Sequence, residues 1–218
     1  MTAADPLRVV VLISGNGSNL QALIDGAKAG RLPMEIRTVI SDRAAAYGLK
    51  RARDNGISAA VVAPREFTGR DAWERALADA IDAFDPQLVL LAGFMRVLSA
   101  AFTRHYRGRM LNIHPSLLPK YRGLHTHRRA LDAGDTRHGA SVHFVTEDLD
   151  GGPVIVQAEI PVLPGDDETS LAARVQKTEH LIYPQAVRLF AEGRIRMTDA
   201  GHVEFDGAPL TVPLPADA

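Results

Sequence analysis

The feature that most limits what this chain can become lies near its start. There the unbroken aliphatic run at residues 9–13 (V-V-V-L-I) meets the hexapeptide Ser14-Gly15-Asn16-Gly17-Ser18-Asn19. A run of β-branched and aliphatic residues with no polar alternation suits a strand buried on both faces. Residues 20–29 then carry apolar side chains at helical spacing, so the order is strand, glycine loop, helix. The same alternation continues as strand 35–40, helix 47–55 stopped by Gly56, strand 59–62, helix 71–84 and strand 88–91. Strands separated by helices imply a mostly parallel sheet.

The second half reads differently. Strand 110–113 runs into His114-Pro115, where proline ends regular pairing. A helix over 124–133 follows, then extended segments at 142–145 and 154–162 joined by a glycine-containing loop, which suggests an antiparallel edge. A long helix is expected from Thr169, as N-cap, to Glu192, kinked or broken at Pro184. Residues 195–210 read as a hairpin around Ala200-Gly201, and Pro213 and Pro215 as a frayed end. The expected class is α/β: a Rossmann-like, mostly parallel sheet with helices on both faces and an antiparallel edge. Residues 1–218 are expected to form one domain, with 195–218 an extension of unassigned role.

Composition narrows the ligand. A formal net charge of -1 offers no general attraction to a polyanion, so phosphate recognition has to be local and a nucleic-acid partner is not expected. The chain has no cysteine, which removes disulfides, thiolate metal ligands and a cysteine nucleophile together. It shows neither the basic-then-apolar start of a signal peptide nor an apolar run long enough to cross a bilayer, so a soluble cytoplasmic protein is expected.

Glycines between a strand and a helix let backbone N–H groups converge on an anion at the positive end of the helix dipole. Gly15-x-Gly17 also begins a dinucleotide fingerprint, but Leu20 stands where its third glycine belongs, and no phosphate-loop lysine follows. A phosphate cradle, a ligand-free tight turn and a dinucleotide loop with Asp42 on the ribose all stay open from the residues alone.

Asn112 and His114 are two apart on a strand and so share a face. Acyl transfer to an amine asks for such a pair, a neutral donor for the oxygen that turns anionic and a group that moves the amine's proton. Asp150, before Gly151-Gly152, is placed to favour the His114 imidazolium and raise its pKa above the ordinary value, to hold a water in a proton relay, or to serve only as a turn residue. His125, His127, His138 and His143 do not match a common zinc spacing, and no metal is expected.

Five segments together resemble one family. Residues 14–20 (S-G-N-G-S-N-L), 92–98 (A-G-F-M-R-V-L), 111–121 (L-N-I-H-P-S-L-L-P-K-Y), 123–127 (G-L-H-T-H) and 149–153 (L-D-G-G-P) look like the phosphoribosylglycinamide formyltransferases, folate-dependent enzymes of purine synthesis, over about 8–194. The resemblance implies the formyltransferase fold, and transfer of formyl from 10-formyltetrahydrofolate, a co-substrate, to glycinamide ribonucleotide. It implies that Asn112 binds the formyl oxygen, His114 transfers the proton and Asp150 raises its pKa. Gly17, Ser18 and Asn19 would hold the ribonucleotide phosphate, and Gln176 and Glu179 its sugar and glycinamide part. Arg70, Met95, Arg96, Val97 and Leu98 would line the folate site with Asn112, Thr146, Glu147, Asp148, Leu149 and Asp150. Partners would be these small molecules only, with no nucleic acid or membrane, and the protein a monomer or homodimer. Arg122 departs from the proline that many relatives carry after Lys120-Tyr121. Other formyl-folate enzymes, a methionyl-tRNA formyltransferase or a formyltetrahydrofolate hydrolase, would bring an additional domain.

Overall fold

The computed structural model describes residues 5–217. Its contacts group into two compact units, a first ending at Leu111 and a second beginning at Asn112.

The first unit contains β1 (Leu7–Ile13), α1 (Ser18–Lys28), β2 (Met34–Ser41), α2 (Tyr47–Asp54), β3 (Ser58–Val61), α3 (Arg70–Asp82), β4 (Leu88–Leu91) and α4 (Ala100–His105). Its strands lie in the order β3-β2-β1-β4 and every pair is parallel. Val9 to Ile13 are all 0% exposed, which is what a strand flanked on both sides needs and why that stretch carries no polar residue. The helices contribute apolar stripes, Leu20, Leu23 and Ile24 on α1 and Trp73, Leu77 and Ile81 on α3. The α4 helix has no counterpart in the sequence reading. Its six residues are too few to display a period, and its start is set by Ser99, whose hydroxyl accepts from the Phe102 amide.

The strand β5 (Met110–His114) carries the chain into the second unit, followed by α5 (Thr126–Asp132), β6 (Arg137–Phe144), β7 (Val154–Pro161), α6 (Glu168–Ala191), β8 (Ile195–Met197), β9 (Val203–Phe205) and β10 (Ala208–Pro209). Here the order is β5-β6-β7, with β6 and β7 antiparallel, and α6 packs on both. The class is the expected one, mostly parallel α/β with an antiparallel edge, and a small antiparallel sheet of β8, β9 and β10 is added.

Four expectations are corrected. The β6 strand starts at Arg137, five residues before 142, because Arg137, His138, Gly139 and Ser141 interrupt the apolar pattern although His138 to Phe144 are buried. Gly139 is needed there, since a Cβ would lie 1.9 Å from the Ala158 carbonyl oxygen. The α6 helix begins one residue after Asp167, which, rather than Thr169, is the N-cap. Asp167 and Ser170 form a reciprocal capping box. Of the two outcomes expected at Pro184 the break does not occur, since the helix continues through it as one element, held by fully buried Ile182, Tyr183, Ala186 and Val187 on either side of the proline. Finally, the segment around Pro213 and Pro215 is paired. The Leu214 amide donates to Ile155 and its carbonyl accepts from Gln157, both on β7. The side chain of Gln185 donates to the Pro215 carbonyl and to Asp217.

Candidate active site

Three sequence-predicted residues meet within the second unit. His114 closes β5 and is 5% exposed. Its Nε2 lies 2.9 Å from the Tyr121 carbonyl oxygen, and its Nδ1 lies 3.3 Å from Asp150 Oδ2. A carbonyl only accepts, so Nε2 carries a hydrogen, and the proton that comes and goes is the one on Nδ1, facing the carboxylate. Asp150 is itself held by the Gly123 amide, which donates to Oδ2 at 2.9 Å. Asn112, half-buried two residues before His114, directs Nδ2 to within 3.4 Å of Asp150 Oδ1.

Charge and burial oppose each other at His114. Burial, the larger influence, lowers its pKa below the ordinary 6.5, while Asp150 and the Tyr121 carbonyl pull it upward. The expectation that Asp150 lifts this pKa above the ordinary value is corrected on that ground. The pull has the expected sign and desolvation outweighs it. Asp150 meets burial too, but the neighbouring imidazoles of His143 and His114 and the Gly123 amide together keep its carboxyl below the usual range.

His143, which the sequence offered only as a histidine unsuited to zinc, has a part here that the sequence did not assign. Its Nδ1 donates to the Phe144 carbonyl at 2.9 Å, leaving Nε2 to accept from Asn112 Nδ2 at 3.2 Å. The ring thereby aims the asparagine amide. The only signal available in the sequence was its place on a strand that precedes the Asp150 loop. The loop after β5 is tied down as well: Ser141 Oγ donates to the Ser116 carbonyl and accepts from the Leu118 amide, and Arg129 donates to the Arg122 carbonyl at 2.7 Å. Tyr121, with φ 56, anchors its hydroxyl on Asp135 at 2.8 Å, so its carbonyl is fixed toward the imidazole. In the loop from residue 146 to 153, Gly152 comes so close to β6 that a Cβ would meet the Phe144 carbonyl oxygen at 1.8 Å. Thr146, Glu147, Asp148 and Leu149 lie in this loop, with Leu149 exposed. Gln176 and Glu179 are a helical turn apart on α6, the first exposed and the second buried.

In the first unit the glycine loop joins β1 to α1 as predicted. Gly17 adopts φ 74 immediately before the helix, and a Cβ there would sit 2.8 Å from Gly48 Cα. Ser18 and Asn19 form the first turn of α1, where amide N–H groups lack helical partners. Arg51 braces the loop from α2, donating to the Asn16 carbonyl and side chain, each at 2.9 Å. Asp42 does not behave as a ribose ligand. Its side chain is 0% exposed and its Oδ2 accepts from Arg96 Nε at 2.6 Å.

Four of the five residues from this unit assigned to folate, Arg70, Met95, Arg96 and Val97, line one cavity of about 490 Å³. The fifth, Leu98, is buried and is not part of its lining. Phe67 and Trp73 supply aromatic walls that the sequence did not single out. The cavity rim is fixed, since Arg70 donates to the Val97 carbonyl at 2.7 Å and to Glu74 at 2.9 Å. The Met95 amide donates to Ser14 Oγ at 2.8 Å, which joins this wall to the start of the glycine loop.

Among the described residues, no helix is long and apolar enough to cross a membrane.

A family model described as Formyl transferase matches residues 7–187. The phosphoribosylglycinamide formyltransferase of Escherichia coli K12 is 56% identical over 191 residues, covering 88% of this chain and 90% of that protein. Of solved structures, the phosphoribosylglycinamide formyltransferase of Coxiella burnetii matches with a TM-score of 0.93 at 52% identity, over 97% of this chain and 100% of that one. A formyltetrahydrofolate deformylase from Burkholderia mallei shares the fold at a TM-score of 0.82 and 28% identity, over 93% of this chain and 70% of that one. An asparagine and a histidine ending one strand, an aspartate brought to them by a double-glycine loop, and likeness of this extent over most of both chains agree with one another. The chain belongs to the formyl transferase family and, within it, to the phosphoribosylglycinamide formyltransferases.

Proposed function

We propose that the protein transfers the formyl group of 10-formyltetrahydrofolate to the amine of glycinamide ribonucleotide, giving N-formylglycinamide ribonucleotide and tetrahydrofolate in de novo purine synthesis. The observation that carries this reading is the His114 ring. One nitrogen is locked by a peptide carbonyl, and the other faces Asp150 at 3.3 Å. With its pKa below the ordinary value, the ring is neutral near pH 7 and able to accept a proton.

The acceptor amine attacks the formyl carbon directly in a ternary complex, and no covalent enzyme intermediate forms. Negative charge grows on the formyl oxygen, toward which Asn112 turns the N–H that reaches Asp150 at only 3.4 Å. His114 Nδ1 takes the amine's proton, Asp150 stabilises the resulting imidazolium, and the proton passes to the departing folate nitrogen. Gly17, Ser18 and Asn19 hold the ribonucleotide phosphate, and Gln176 and Glu179 its sugar and glycinamide part. Arg70, Met95, Arg96, Val97 and Leu98 bind the donor together with Asn112, Thr146, Glu147, Asp148, Leu149 and Asp150. The scheme uses no metal ion. The protein acts as one formyltransferase domain in the cytoplasm, as a monomer or homodimer, on small molecules without a nucleic-acid or membrane partner.

The test is tetrahydrofolate release measured with and without glycinamide ribonucleotide. Release that requires the acceptor supports the reading. Release at the same rate without it would assign the chain to formyl-folate hydrolysis instead.

A further inference from the structure

The loop that carries Gly17, Ser18 and Asn19 is held from one side by α2. The Gly48 amide donates to the Gly15 carbonyl at 3.0 Å, and Arg51 Nε donates to the Asn16 carbonyl at 2.9 Å. The C=O and N–H of a trans peptide point in opposite directions. Drawing the carbonyls of residues 15 and 16 toward α2 therefore turns the amides of Asn16 and Gly17 to the opposite side of the loop. Neither amide donates to a protein acceptor among the described residues. The approach is close as well as oriented. A Cβ on Gly48 would meet Ile13 at 2.5 Å and Gly17 Cα at 3.3 Å, so the helix reaches the loop only because Gly48 lacks a side chain.

Arg51 is the part of this brace that a side chain supplies. Its Nη2 donates to Asn16 Oδ1 at 2.9 Å and its Nη1 to Gln21 Oε1 at 3.3 Å, while the guanidinium lies over the Tyr47 ring, 4.9 Å from the centroid. Every acceptor it reaches is neutral, and no carboxylate pairs with it among the described residues. A half-buried cation with neutral partners keeps its charge beside amides already turned outward, which suits an anion. We propose that Arg51 is a positioning residue for the acceptor's phosphate. Acting through the loop, it sets the amides to receive a phosphate monoester and makes the protein discriminate phosphorylated from unphosphorylated acceptors. The planar fork is what the role requires, because its three nitrogens hold the backbone and side chain of Asn16 and the side chain of Gln21 at once, and an ammonium group is a single point. The proposal rests on the phosphate reading of this loop given above.

Equilibrium titration with glycinamide ribonucleotide and with its dephosphorylated riboside tests this without depending on turnover. The riboside Kd divided by the ribonucleotide Kd reads recognition of the phosphate, and damage that is not specific to the phosphate moves both constants together. Arg51→Gln should lower this ratio about tenfold, the scale of one hydrogen bond to a charged group. Arg51→Lys, which keeps the charge without the fork, should lose most of the same amount. Asn16→Ala leaves the arginine and removes one of its acceptors, and should lower the ratio part of the way. Arg53→Gln, an equal loss of charge at an exposed position of the same helix, should leave it within about twofold. In turnover the Arg51 variants should raise KM for the ribonucleotide about tenfold with kcat within about twofold. Equal affinities of the unaltered protein for the two acceptors, an unchanged ratio in Arg51→Gln, an equal loss in the Arg53 variant or full rescue by lysine would overturn the proposal. A ratio that falls as expected in a protein that releases tetrahydrofolate without acceptor would instead count against formyl transfer and leave the role of Arg51 standing.

Discussion

At His114 the contest between burial and charge decides the pH at which the ring can accept a proton. Its pKa lies below 6.5, so the proton-accepting form is lost as pH falls through a value below that figure, and turnover should carry an acidic limb there. Asp150→Asn removes the upward pull and leaves burial unopposed, so the limb of the kcat profile should move to still lower pH. Because the imidazolium also loses its counter-charge, kcat should fall about 10²–10³-fold while the acceptor KM changes little. A limb that stays in place would mean that Asp150 does not act on His114 through its charge. At this scale the sequence indicates which side chains meet and says little of how they are set. The spacing of Asn112 and His114 puts them on one face, but the sign of the pKa shift depends on burial, which no local pattern reports. The part played by His143 was hidden for the same reason, since its partners come from residues 112 and 144 on two strands.

Between elements, the packing of α5 on β6 contains a second pair of rings. His127 Nδ1 lies 3.1 Å from His138 Nε2, with ring centroids 5.1 Å apart. Burial is the first cause of a lowered pKa at both, and the His138 value falls to about 4. An unfolded His138 titrates near 6.5, so between 6.5 and about 4 the unfolded chain binds the proton that the folded one refuses. Stability is therefore whole above that window and declines as pH drops through it, by at most roughly 3 kcal/mol from this residue. In denaturant titrations from pH 7 to pH 4, His138→Gln should flatten the decline of the midpoint. An unaltered slope would show that the ring is readily protonated in place. The same strand illustrates where pattern reading fails. The residues of β6 from Arg137 to Ser141 are polar or small, so they do not announce a strand, yet they pair with Gln157 to Pro161 of β7. By contrast β1 and β4 were legible because strands buried on both faces leave continuous aliphatic runs.

For the molecule as a whole, the tail answers a problem every sheet has, an outer strand with unmet peptide groups. Leu214 satisfies two of those groups on β7, and Arg188 and Gln185 hold Asp217 beyond it. Ending the chain after Val212 should expose this edge and produce concentration-dependent association by light scattering. Scattering no different from the full chain would show that β7 is protected by other means. Two prolines suggested a loose end because proline opposes pairing, but the residue between them keeps its amide, and that amide is the one the strand uses. The glycine loop and the strand ending at His114 were legible as motifs, whereas the cavity lined by Arg70, Trp73 and Arg96 depends on residues scattered from 64 to 97 and emerges only once the chain has folded. His114 and Asp150 are both steered by main-chain groups, the carbonyl of residue 121 and the amide of residue 123, and no substitution deletes a peptide carbonyl. Drift in side-chain identity at position 122 is therefore tolerable, and the arginine found there is an instance of it. Gaining or losing a single residue between Pro119 and Gly123 would not be, because it would swing both peptide groups away while leaving every reactive side chain in the gene.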